Sequence, residues 1–363
     1  MERYRPKKIL VEKSIRDLPL TQTVIKRLRG IPVDYINRVK PLPVERAQDS
    51  WLNSQKTLLL CENKGRFFEP CPGTKNYLCC LYKILNVATN CHLNCTYCIL
   101  QAYLNNPFMV LYTNTNEMFK ELDEVLSQHP KTVYRIGTGE YTDSLILDHL
   151  TSFTRLVVPY FASRSNAFLE LKTKTDIIEN LEGLKHNGKT IVSWSLNAEP
   201  VVRNEEKSAC SLDDRVMAAY QCQKWGYKLG FHFDPLIYYP GWESDYKKVV
   251  EKLFRTIDTA SVCWISLGCF RFIPKLKPII KKRYPESGIL YQEFIRGLDG
   301  KMRYFKPIRI EMYTKMVEWI KSYDSNIFIY LCMESEEVWK KSLGVAPLSN
   351  WDLKKWLDDQ CRP

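Results

Sequence analysis

Three closely spaced cysteines are the residues of this sequence best suited to chemistry. Cys91, Cys95 and Cys98 form a C-x3-C-x2-C run inside the segment 90–101. A buried strand is predicted just before this run and the start of a helix just after it, so a tight loop can point three thiolates at one place. Three thiolates are one fewer than the four ligands that usually hold an iron–sulfur cube. The spacing therefore predicts a [4Fe-4S] cluster with one iron open to a small molecule.

Two other interpretations of the cysteine run remain open. A structural zinc site would need a fourth Cys or His, and His92 lies inside the loop, although C-x3-C-x2-C is not a usual zinc spacing. The cysteines could also be buried as small apolar residues, although the Asn and Thr around them make the loop polar. Four cysteines precede the run, and a second metal site formed by them remains a possible interpretation. Their irregular spacing favours ordinary buried thiols at Cys61, Cys71, Cys79 and Cys80.

Length and composition exclude several broad classes of protein. The chain has 363 residues, of which 45% are hydrophobic, so it can bury a large core and is not globally disordered. No stretch approaches the length of a membrane span, and the basic start lacks the apolar core of a signal peptide. Thirteen cysteines without a secretion signal indicate a reducing, cytoplasmic location. The formal charge of +12 favours polyanionic partners without identifying one.

From residue 82 the sequence alternates between apolar runs of strand length and amphipathic stretches of helix length. Strands are predicted at residues 82–88, 132–136, 168–171, 190–196, 228–234 and 262–267. Helices are predicted between them at residues 116–129, 145–161, 213–225 and 249–257. Consecutive β/α units imply a parallel sheet with right-handed crossovers, and these are too few for a closed eight-fold barrel. We therefore expect an α/β protein built on a partial (β/α)6 barrel.

The segments on either side of this region do not show the same regular alternation. Residues 1 to about 55 are rich in Lys and Arg, and we expect an irregular extension with one or two helices. A strand at residues 58–60 and a strand with a turn at 67–74 lead into the barrel. After residue 268 we expect a helix at 306–322, a late strand at 327–331 and helices at 334–343 and 353–358. The predicted division is an N-terminal extension (1–79), a barrel (80–270) and an α+β C-terminal extension (271–363).

Polar residues follow several of the predicted strands, at the sheet edge where parallel α/β proteins bind ligands. They are Gly137, Thr138, Gly139, Glu140, Lys174, Ser195, Asn197 and Asp234. The glycines allow close backbone approach to a ligand, and Glu140 is suited to accept hydrogen bonds from an ammonium group. Lys174 is suited to pair with an anionic group, and Ser195 and Asn197 can hydrogen-bond a ligand. Each residue is also explained as a strand-end cap or a surface residue, so the eight together support a ligand site better than any one of them does.

A basic region follows the barrel at residues 271–309. It contains eleven Lys or Arg against three acidic residues, and six aromatic residues are interleaved among them. Such a pattern suits a surface that follows phosphates and stacks on bases. A solvated pair of helices with the aromatic rings packed inward explains the pattern equally well.

The cysteine run resembles that of the radical S-adenosylmethionine (SAM) enzymes. The resemblance implies that the open iron chelates the amino and carboxylate groups of SAM. It also implies that one electron from the cluster cleaves the sulfonium to give a 5′-deoxyadenosyl radical, and that the fold is the open, TIM-like (β/α)6 barrel of that superfamily. Many of these enzymes use a Gly-rich segment after the second strand for the methionine amino group, which implies that role for the segment 137–140.

Several further segments resemble the spore photoproduct lyase family. They are residues 90–101, 172–174, 193–197, 226–231, 241–243 and 282–285. The resemblance covers about residues 80–290 and implies a SAM-dependent carbon–carbon lyase that repairs a thymine dimer in DNA. It further implies a hydrogen-relay role for Tyr97 and an electron donor such as flavodoxin or ferredoxin.

The sequence departs from that family at two places. The lyases carry a hydrogen-donating cysteine at the end of the second strand, but residues 137–143 contain none, and Glu140 or Tyr141 stands near that position. A tyrosine phenol can donate a hydrogen atom, whereas glutamate does not do so readily. The lyases also tend to have a tyrosine directly after the third cluster cysteine, where this chain has Ile99. Two alternatives therefore remain: a radical SAM enzyme with a non-DNA substrate, and a nucleic-acid-binding protein with a structural metal.

Overall fold

The computed structural model describes residues 2–38 and 51–362, in which strands and helices alternate along most of the chain. The strands are β1 (Lys8–Glu12), β2 (Val33–Ile36), β3 (Thr57–Cys61), β4 (Phe68–Pro70), β5 (Lys83–Leu85), β6 (Ala88–Thr89), β7 (Met109–Tyr112), β8 (Tyr134–Gly137), β9 (Ala167–Thr173), β10 (Thr190–Ser195), β11 (Lys228–Leu236), β12 (Val262–Cys269), β13 (Arg271–Phe272), β14 (Ile295–Arg296), β15 (Met302–Arg303) and β16 (Ile329–Leu331).

The α-helices of the described residues follow the same order along the chain. They are α1 (Pro19–Arg27), α2 (Trp51–Ser54), α3 (Leu100–Tyr103), α4 (Thr115–Gln128), α5 (Asp148–Thr151), α6 (Thr154–Ala162), α7 (Glu199–Glu205), α8 (Leu212–Lys224), α9 (Trp242–Thr256), α10 (Leu276–Arg283), α11 (Lys306–Lys321), α12 (Glu336–Leu343) and α13 (Asn350–Cys361). None of them is long and apolar enough to cross a membrane.

The largest sheet has eight strands in the order β16-β12-β11-β10-β9-β8-β5-β4. Every neighbouring pair is parallel except β4 with β5. The sheet is curled into a half-barrel, which confirms the expected partial barrel of radical SAM type. The predicted late strand is β16, and it extends this barrel sheet beside β12, so the sheet uses chain from before, within and after residues 80–270.

Alternation of side chains along the strands separates the core from the inside of the half-barrel. Leu169 and Leu171 of β9 are fully buried in the main hydrophobic core, and so are Phe231 and Phe233 of β11. The residues between them are polar and point to the opposite face, because successive side chains of a strand alternate. The concave face of the sheet is therefore lined by polar side chains, while the helices cover its apolar outer face.

The amphipathic helices form where the sequence predicts them. On α4, Met118, Leu122 and Leu126 are buried at the i, i+4, i+8 spacing of one helix face. Full burial of such a side chain contributes about 1.5–3 kcal/mol relative to exposure. The α8 helix begins with a capping box in which Ser211 and Asp214 satisfy each other's backbone N–H groups.

The helix predicted at residues 145–161 is interrupted. Ser152 adopts a left-handed conformation with φ of 48°, which ends α5. The carboxylate of Asp148 then accepts hydrogen bonds from the backbone N–H (2.9 Å) and hydroxyl (2.7 Å) of Thr154, where α6 begins. The periodic apolar pattern runs through this break because both helices bury apolar side chains, Leu150 of α5 in the N-terminal core and Val157 of α6 in the main core.

The strand predicted at residues 82–88 divides between two sheets. Its first half is β5 of the half-barrel, and its end becomes β6 of a second, five-stranded sheet. Between them the backbone N–H of Asn86 bonds to the carbonyl of Phe67 (2.7 Å), and the carbonyl of Val87 accepts from Tyr112 (3.1 Å). The chain thus crosses from one sheet to the other just before the cysteine run.

The N-terminal segment is more regular than expected. The second sheet has the order β2-β1-β3-β7-β6, so residues 8–12 and 33–36 form parallel strands. Helix α1 connects these two strands along the chain. The expectation of an irregular extension is wrong for residues 2–38, while residues 1 and 39–50 lie outside the described residues. The two strands were missed because each is short and carries charged residues, and because β1 pairs with the distant β3.

Most aromatic residues of the basic region 271–309 pack inward. Phe272, Phe294 and Tyr304 form a ring cluster with Phe270 through centroid distances of 5.0–6.4 Å. Tyr291, by contrast, is 77% exposed. Three of the arginines are buried or half-buried in ion pairs, namely Arg271, Arg303 and Arg309. The packed interpretation therefore holds for much of this region, and exposed positive charge is concentrated on α10 and the loops around it.

Candidate active site

The cysteine loop is shaped by asparagines in left-handed backbone conformations. Asn90 has φ of 76° and Asn94 has φ of 52°, a region that asparagine tolerates better than most residues. The Asn90 amide donates to the carbonyl of Pro107 (2.8 Å), and its Oδ1 accepts from the backbone N–H of Cys91 (2.8 Å). The loop thus begins at a fixed point against the chain that leads into β7.

Glutamine side chains hold the loop from both sides. Gln55, from the N-terminal region, donates to the carbonyl of Cys91 (2.9 Å). Gln101 donates to the carbonyls of Cys95 (3.3 Å) and Thr96 (3.0 Å) and accepts from the Arg283 guanidinium (2.9 Å). The N-terminal sheet and α10 therefore both help to set the position of the three thiols.

The three thiols lie close to one another, with Cys95 buried and Cys91 and Cys98 half-buried. Burial raises the pKa of Cys91, Cys95 and Cys98, that of Cys95 to about 12, and charge interaction with neighbouring thiols adds to the rise for Cys91 and Cys95. Within residues 2–38 and 51–362, no three His, Cys, Asp or Glu side chains converge closely enough to hold a single metal ion. In a cube each cysteine binds a separate iron, so the sulfurs need not converge on one point. Three thiols that do not converge on one point fit separate irons of a cluster better than a single zinc ion.

A cavity of about 340 Å³ opens beside the loop, at the carboxyl ends of the half-barrel strands. Cys98 and Tyr97 lie in its wall, and most of the remaining wall comes from β8 to β12 and the loops at their carboxyl ends, from the chain before β5 and from the end of β16. Among the residues predicted as site residues, those in the wall are Tyr97, Cys98, Gly139, Glu140, Tyr141, Lys174, Ser195 and Asp234. The structure thus brings together residues that lie more than 130 positions apart in sequence.

A buried hydrogen-bonded group forms the floor of the cavity. His232 Nε2 lies 2.7 Å from Glu170 Oε1, which also accepts from the Ser193 hydroxyl (2.7 Å). Although burial opposes ionisation of Glu170, its interactions with His232, Lys172 and Ser193 lower its pKa to about 2. For Lys172, burial opposes the charged form, but Glu140, Glu170 and Asp234 raise its pKa. The cavity therefore contains ionised groups of both signs.

Asp234 and Arg271 form a second charged pair in the wall. The two guanidinium nitrogens of Arg271 donate to the two carboxylate oxygens at 3.2 and 3.0 Å. Burial opposes ionisation of Asp234, yet Arg271 and Lys172 lower its pKa. Gly268 lies beneath this pair, and a Cβ there would stand only 2.6–2.8 Å from the Asp234 carboxyl atoms. A glycine is therefore required at residue 268.

Tyr97 is tied to a buried acid–base pair behind the loop. Its hydroxyl donates a short hydrogen bond to Glu206. Glu206 Oε2 lies 2.6 Å from Arg215 Nη2, as an ion pair rather than a well-aligned hydrogen bond, and neither side chain is exposed. Burial opposes ionisation of Glu206, but Arg215 and Lys174 lower its pKa. The carboxylate is thus ionised and available to take the phenol proton.

Lys174 lies between the loop and the third strand. Its ammonium nitrogen stands 5.8 Å from the centre of the Tyr97 ring, in cation–π contact. Its backbone N–H donates to Asp143 (2.7 Å), whose other oxygen accepts from the Thr173 hydroxyl (2.7 Å). The strand end is therefore fixed, while the Lys174 side chain faces the cavity next to Cys98.

Three residues predicted to contact the cofactor lie behind the wall. Asn197 is buried, and its amide bonds to Tyr246, to the carbonyl of Pro235 (3.1 Å) and to Glu206 (3.4 Å). A Cβ at Gly137 would meet the Tyr82 hydroxyl at 1.5 Å, so this glycine makes room for a ring rather than for a ligand. Thr138 is buried, and its hydroxyl has no hydrogen-bond partner within the described ranges.

Several residues of the wall were not predicted from the sequence. Glu170 and Lys172 of β9 alternate with the predicted Lys174 just after that strand, and His232 of β11 alternates with the predicted Asp234. This period of two, with polar residues inside otherwise apolar strands, was the signal that could have revealed them. Other such residues come from outside the strands or depend on long-range contacts, namely Cys71, Cys79, Cys80, Tyr82, Arg135, Arg271, Lys301 and Cys332.

The four cysteines before the run are separated by the fold. Cys61 lies in β3 of the N-terminal sheet, away from the cavity. Cys71, Cys79 and Cys80 line the cavity with Cys332. No single-ion site forms from them within the described part of the chain, where every cysteine is also free of disulfide bonds.

Comparisons with known proteins match most of the chain. A family model described as spore photoproduct lyase matches residues 4–324. The spore photoproduct lyase of Bacillus subtilis (strain 168) is 27% identical over 298 residues, covering 80% of this chain and 85% of that protein. The lyase of Geobacillus sp. (strain Y412MC61) is 25% identical over 295 residues, covering 79% and 85%.

Solved structures of a spore photoproduct lyase share the fold. One, complexed with dinucleoside spore photoproduct, matches with a TM-score of 0.80 at 23% identity, covering 91% of this chain and 100% of that chain. A variant with bound AdoMet and dinucleoside spore photoproduct matches with a TM-score of 0.81, also at 23% identity and with the same coverage.

A half-barrel sheet with a three-cysteine loop beside a cavity at the strand ends defines a radical SAM enzyme. The family model spans most of the chain, and two curated relatives align along four fifths of it. The chain belongs to the spore photoproduct lyase family.

Proposed function

We propose that this protein is a radical SAM lyase that acts on a thymine-dimer lesion in DNA. The observation that carries the proposal is the position of Cys98, at the point where the cysteine loop meets a cavity lined by charged and phenolic side chains. The solved lyase structures with dinucleoside spore photoproduct and with AdoMet, which share the fold, support the same substrate and cofactor.

The residues around the cavity fit the cofactors of this chemistry. Cys91, Cys95 and Cys98 would hold a [4Fe-4S] cluster, and the bound cluster and SAM would together supply a radical that abstracts hydrogen from substrate. Glu140 would accept hydrogen bonds from the SAM ammonium, and Lys174 would pair with its carboxylate. The predicted contacts with Gly137, Thr138, Gly139, Ser195, Asn197 and Asp234 stay proposals.

Phenols at the cavity are suited to move a hydrogen atom. We assign Tyr97 as a relay, since loss of one electron from its phenol can be accompanied by transfer of its proton to the ionised Glu206, and return of both restores the phenol. Tyr141 also lines the cavity, and burial and the nearby Glu69 raise its pKa, so its O–H is retained at neutral pH. The buried Phe270 ring faces Tyr97 at 6.4 Å between centroids and helps to exclude water.

The C-terminal basic region 271–309 would bind the DNA backbone. Its exposed basic residues are Lys275, Lys277, Lys281, Lys282, Arg296 and Lys306, and Tyr291 beside them offers an exposed ring. In a plot of the logarithm of DNA affinity against the logarithm of salt concentration, each phosphate contact should add about −0.9 to the slope. A flavodoxin- or ferredoxin-type protein is the proposed electron donor, and the cytoplasm the proposed compartment.

The direct test is anaerobic reconstitution with iron and sulfide, followed by metal analysis and SAM turnover. The parent protein should bind iron and release 5′-deoxyadenosine faster when dimer-containing DNA is added. Cys95→Ala should lose both iron and turnover, whereas Cys222→Ala, which changes a fully buried thiol of α8 outside the cavity, should keep both.

The other outcomes identify the alternatives. Turnover that DNA does not stimulate would remove the DNA substrate and favour a radical SAM enzyme with a different one. Deuterium transfer from labelled candidate substrates into 5′-deoxyadenosine would then identify that substrate. Zinc in place of iron, with salt-sensitive DNA binding and no turnover, would instead indicate a nucleic-acid-binding protein.

A further inference from the structure

Fragmentation of a dimer by hydrogen abstraction leaves a carbon-centred radical on the product, and that radical needs a hydrogen atom. This inference therefore rests on the proposed function. Among protein side chains, thiols and phenols give up a hydrogen atom most readily. The donor must also reach the cavity and must keep its hydrogen at neutral pH.

A group of thiols outside the cysteine run lines the cavity. It consists of Cys71, Cys79, Cys80 and Cys332, which come from the chain before β5 and from the end of β16. The cluster cysteines do not belong to this group, and only Cys98 of those three lines the same cavity. The wall thus carries several thiols that cluster binding does not use.

The members of the thiol group differ in their surroundings. Cys79 and Cys80 hydrogen-bond each other through their thiols. Cys332 Sγ accepts from the Arg271 guanidinium at 3.4 Å. Cys71 is half-buried, and Glu140 is its foremost charged neighbour. Burial, followed by the charge of Glu140, raises the pKa of Cys71 to about 12, so its S–H bond is intact at neutral pH.

The phenols of the cavity are less available than this thiol. Tyr97 is bonded to Glu206, on the side of the cluster loop. Tyr82 is half-buried, packs against Gly137 and hydrogen-bonds Glu170. Tyr141 remains as the competing donor, and the experiment below separates it from Cys71.

We propose that Cys71 donates the hydrogen atom that quenches the product radical. In this step the S–H bond of Cys71 breaks and a C–H bond forms on the product base, which leaves a thiyl radical on Cys71. An external low-molecular-weight thiol then gives a hydrogen atom to the thiyl sulfur, so the Cys71 S–H bond is restored and the external thiol is oxidised by one electron. This exchange is close to neutral in energy, because one S–H bond breaks as another forms.

The experiment is repair of dimer-containing DNA in D2O by the reconstituted enzyme, with the product analysed by mass spectrometry. Thiol hydrogens exchange with solvent and carbon-bound hydrogens do not, so the parent enzyme should place one deuterium in each repaired product. Cys71→Ser keeps the size and an exchangeable hydrogen, but its O–H bond is too strong to give up a hydrogen atom. This variant should lower both deuterium incorporation and product formed per 5′-deoxyadenosine by about tenfold or more.

Cys222→Ala is the control and should behave as the parent. Tyr141→Phe tests the competing donor, and with Cys71 as the donor each product molecule it forms should still carry one deuterium. The inference is overturned if Cys71→Ser retains parental deuterium and coupling, or if the loss follows Tyr141→Phe instead. If the parent forms no product while DNA fails to stimulate SAM cleavage, the proposed function fails first and the inference falls with it.

A second measurement needs no catalysis. At about pH 9, where a small fraction of the Cys71 thiol is ionised, iodoacetamide should alkylate Cys71 slowly in the cluster-free protein. Dinucleoside spore photoproduct at ten times its Kd should slow this reaction about tenfold further, following 1 + [L]/Kd. Cys222 and Cys361 are fully buried and serve as unreactive references. Equal alkylation of Cys71 with and without saturating ligand would place the thiol away from the substrate and overturn the inference.

Discussion

The ion pair between Glu206 and Arg215 is expected to contribute strongly to the free energy of unfolding. The two side chains are fully buried and 2.6 Å apart, and Arg215 also donates to the carbonyls of Ser195 (2.9 Å) and Cys210 (2.9 and 3.1 Å). Glu206→Gln keeps the shape and an acceptor for Tyr97 but leaves the guanidinium charge without its counter-ion. Removing one partner of a buried pair costs about 3–5 kcal/mol. The unfolding equilibrium constant should therefore rise roughly a hundredfold to a few thousandfold.

The assay is equilibrium urea unfolding of the cluster-free protein, followed by tryptophan fluorescence. The matched control is Glu251→Gln, which removes the exposed i, i+4 partner of Arg255 at 3.9 Å and should change the unfolding free energy by at most about 0.5 kcal/mol. Adding Arg215→Met to Glu206→Gln removes both charges and should cost less than the sum of the single changes.

If Glu206→Gln lowers the free energy of unfolding by less than about 1 kcal/mol, the reasoning is refuted, because an unpaired buried charge destabilises the folded state by more than that. Full additivity of the two single changes would refute it as well. The same variant also reports on the loop, since Tyr97 would lose an ionised acceptor and SAM turnover should fall while iron content is retained.

Two further predictions concern the cavity. The pKa of Glu170 lies at about 2 in the folded protein instead of 4.5, so its ionised form contributes about 3 kcal/mol of stability above about pH 5, and this contribution is lost as the pH falls to about 2. Urea unfolding of Glu170→Gln should differ from the parent by about that amount at neutral pH and converge with it near pH 2, and a constant difference across this range would contradict the assignment. Gly268→Ala should cost about 1–3 kcal/mol in the same assay, because the new Cβ displaces the Asp234 carboxylate. Gly288→Ala places its Cβ 3.7 Å from Tyr291, an ordinary contact, and should stay within about 0.5 kcal/mol of the parent, so equal losses in the two variants would count against the steric explanation.

The barrel was predictable because buried parallel strands read as short apolar runs separated by amphipathic helices. All six predicted strands occur in the half-barrel, although the first is shorter than expected. The N-terminal sheet was not predictable by the same means. Its strands β1 and β2 are short and mix charged with apolar residues, and β1 pairs with β3 across about 50 residues of sequence.

The candidate site was predictable where its chemistry is local in sequence. The cysteine run and the strand-end residues Glu140 and Lys174 lie in short motifs, and the structure brings Cys98, Glu140 and Lys174 to one cavity. Arg271 and the thiol of Cys332 reach the same cavity through contacts across tens of residues, which no local pattern encodes. For Asn197 the sequence correctly predicts a position at a strand end. It does not reveal that the side-chain amide is already hydrogen-bonded within the protein, to Tyr246 and to the carbonyl of Pro235.

The late strand β16 has a consequence for how the protein is made. Its end supplies Leu331, Cys332 and Met333 to the cavity, next to the wall formed by residues 71–82, since Leu78 bridges to Glu334. A nascent chain emerging from the ribosome therefore keeps an open-sided site for most of its synthesis, with the cysteine loop proposed to bind the cluster already outside. Loading of iron before residue 333 has emerged would expose the cluster to solvent and oxygen. We expect maturation of the metal centre to follow translation rather than accompany it.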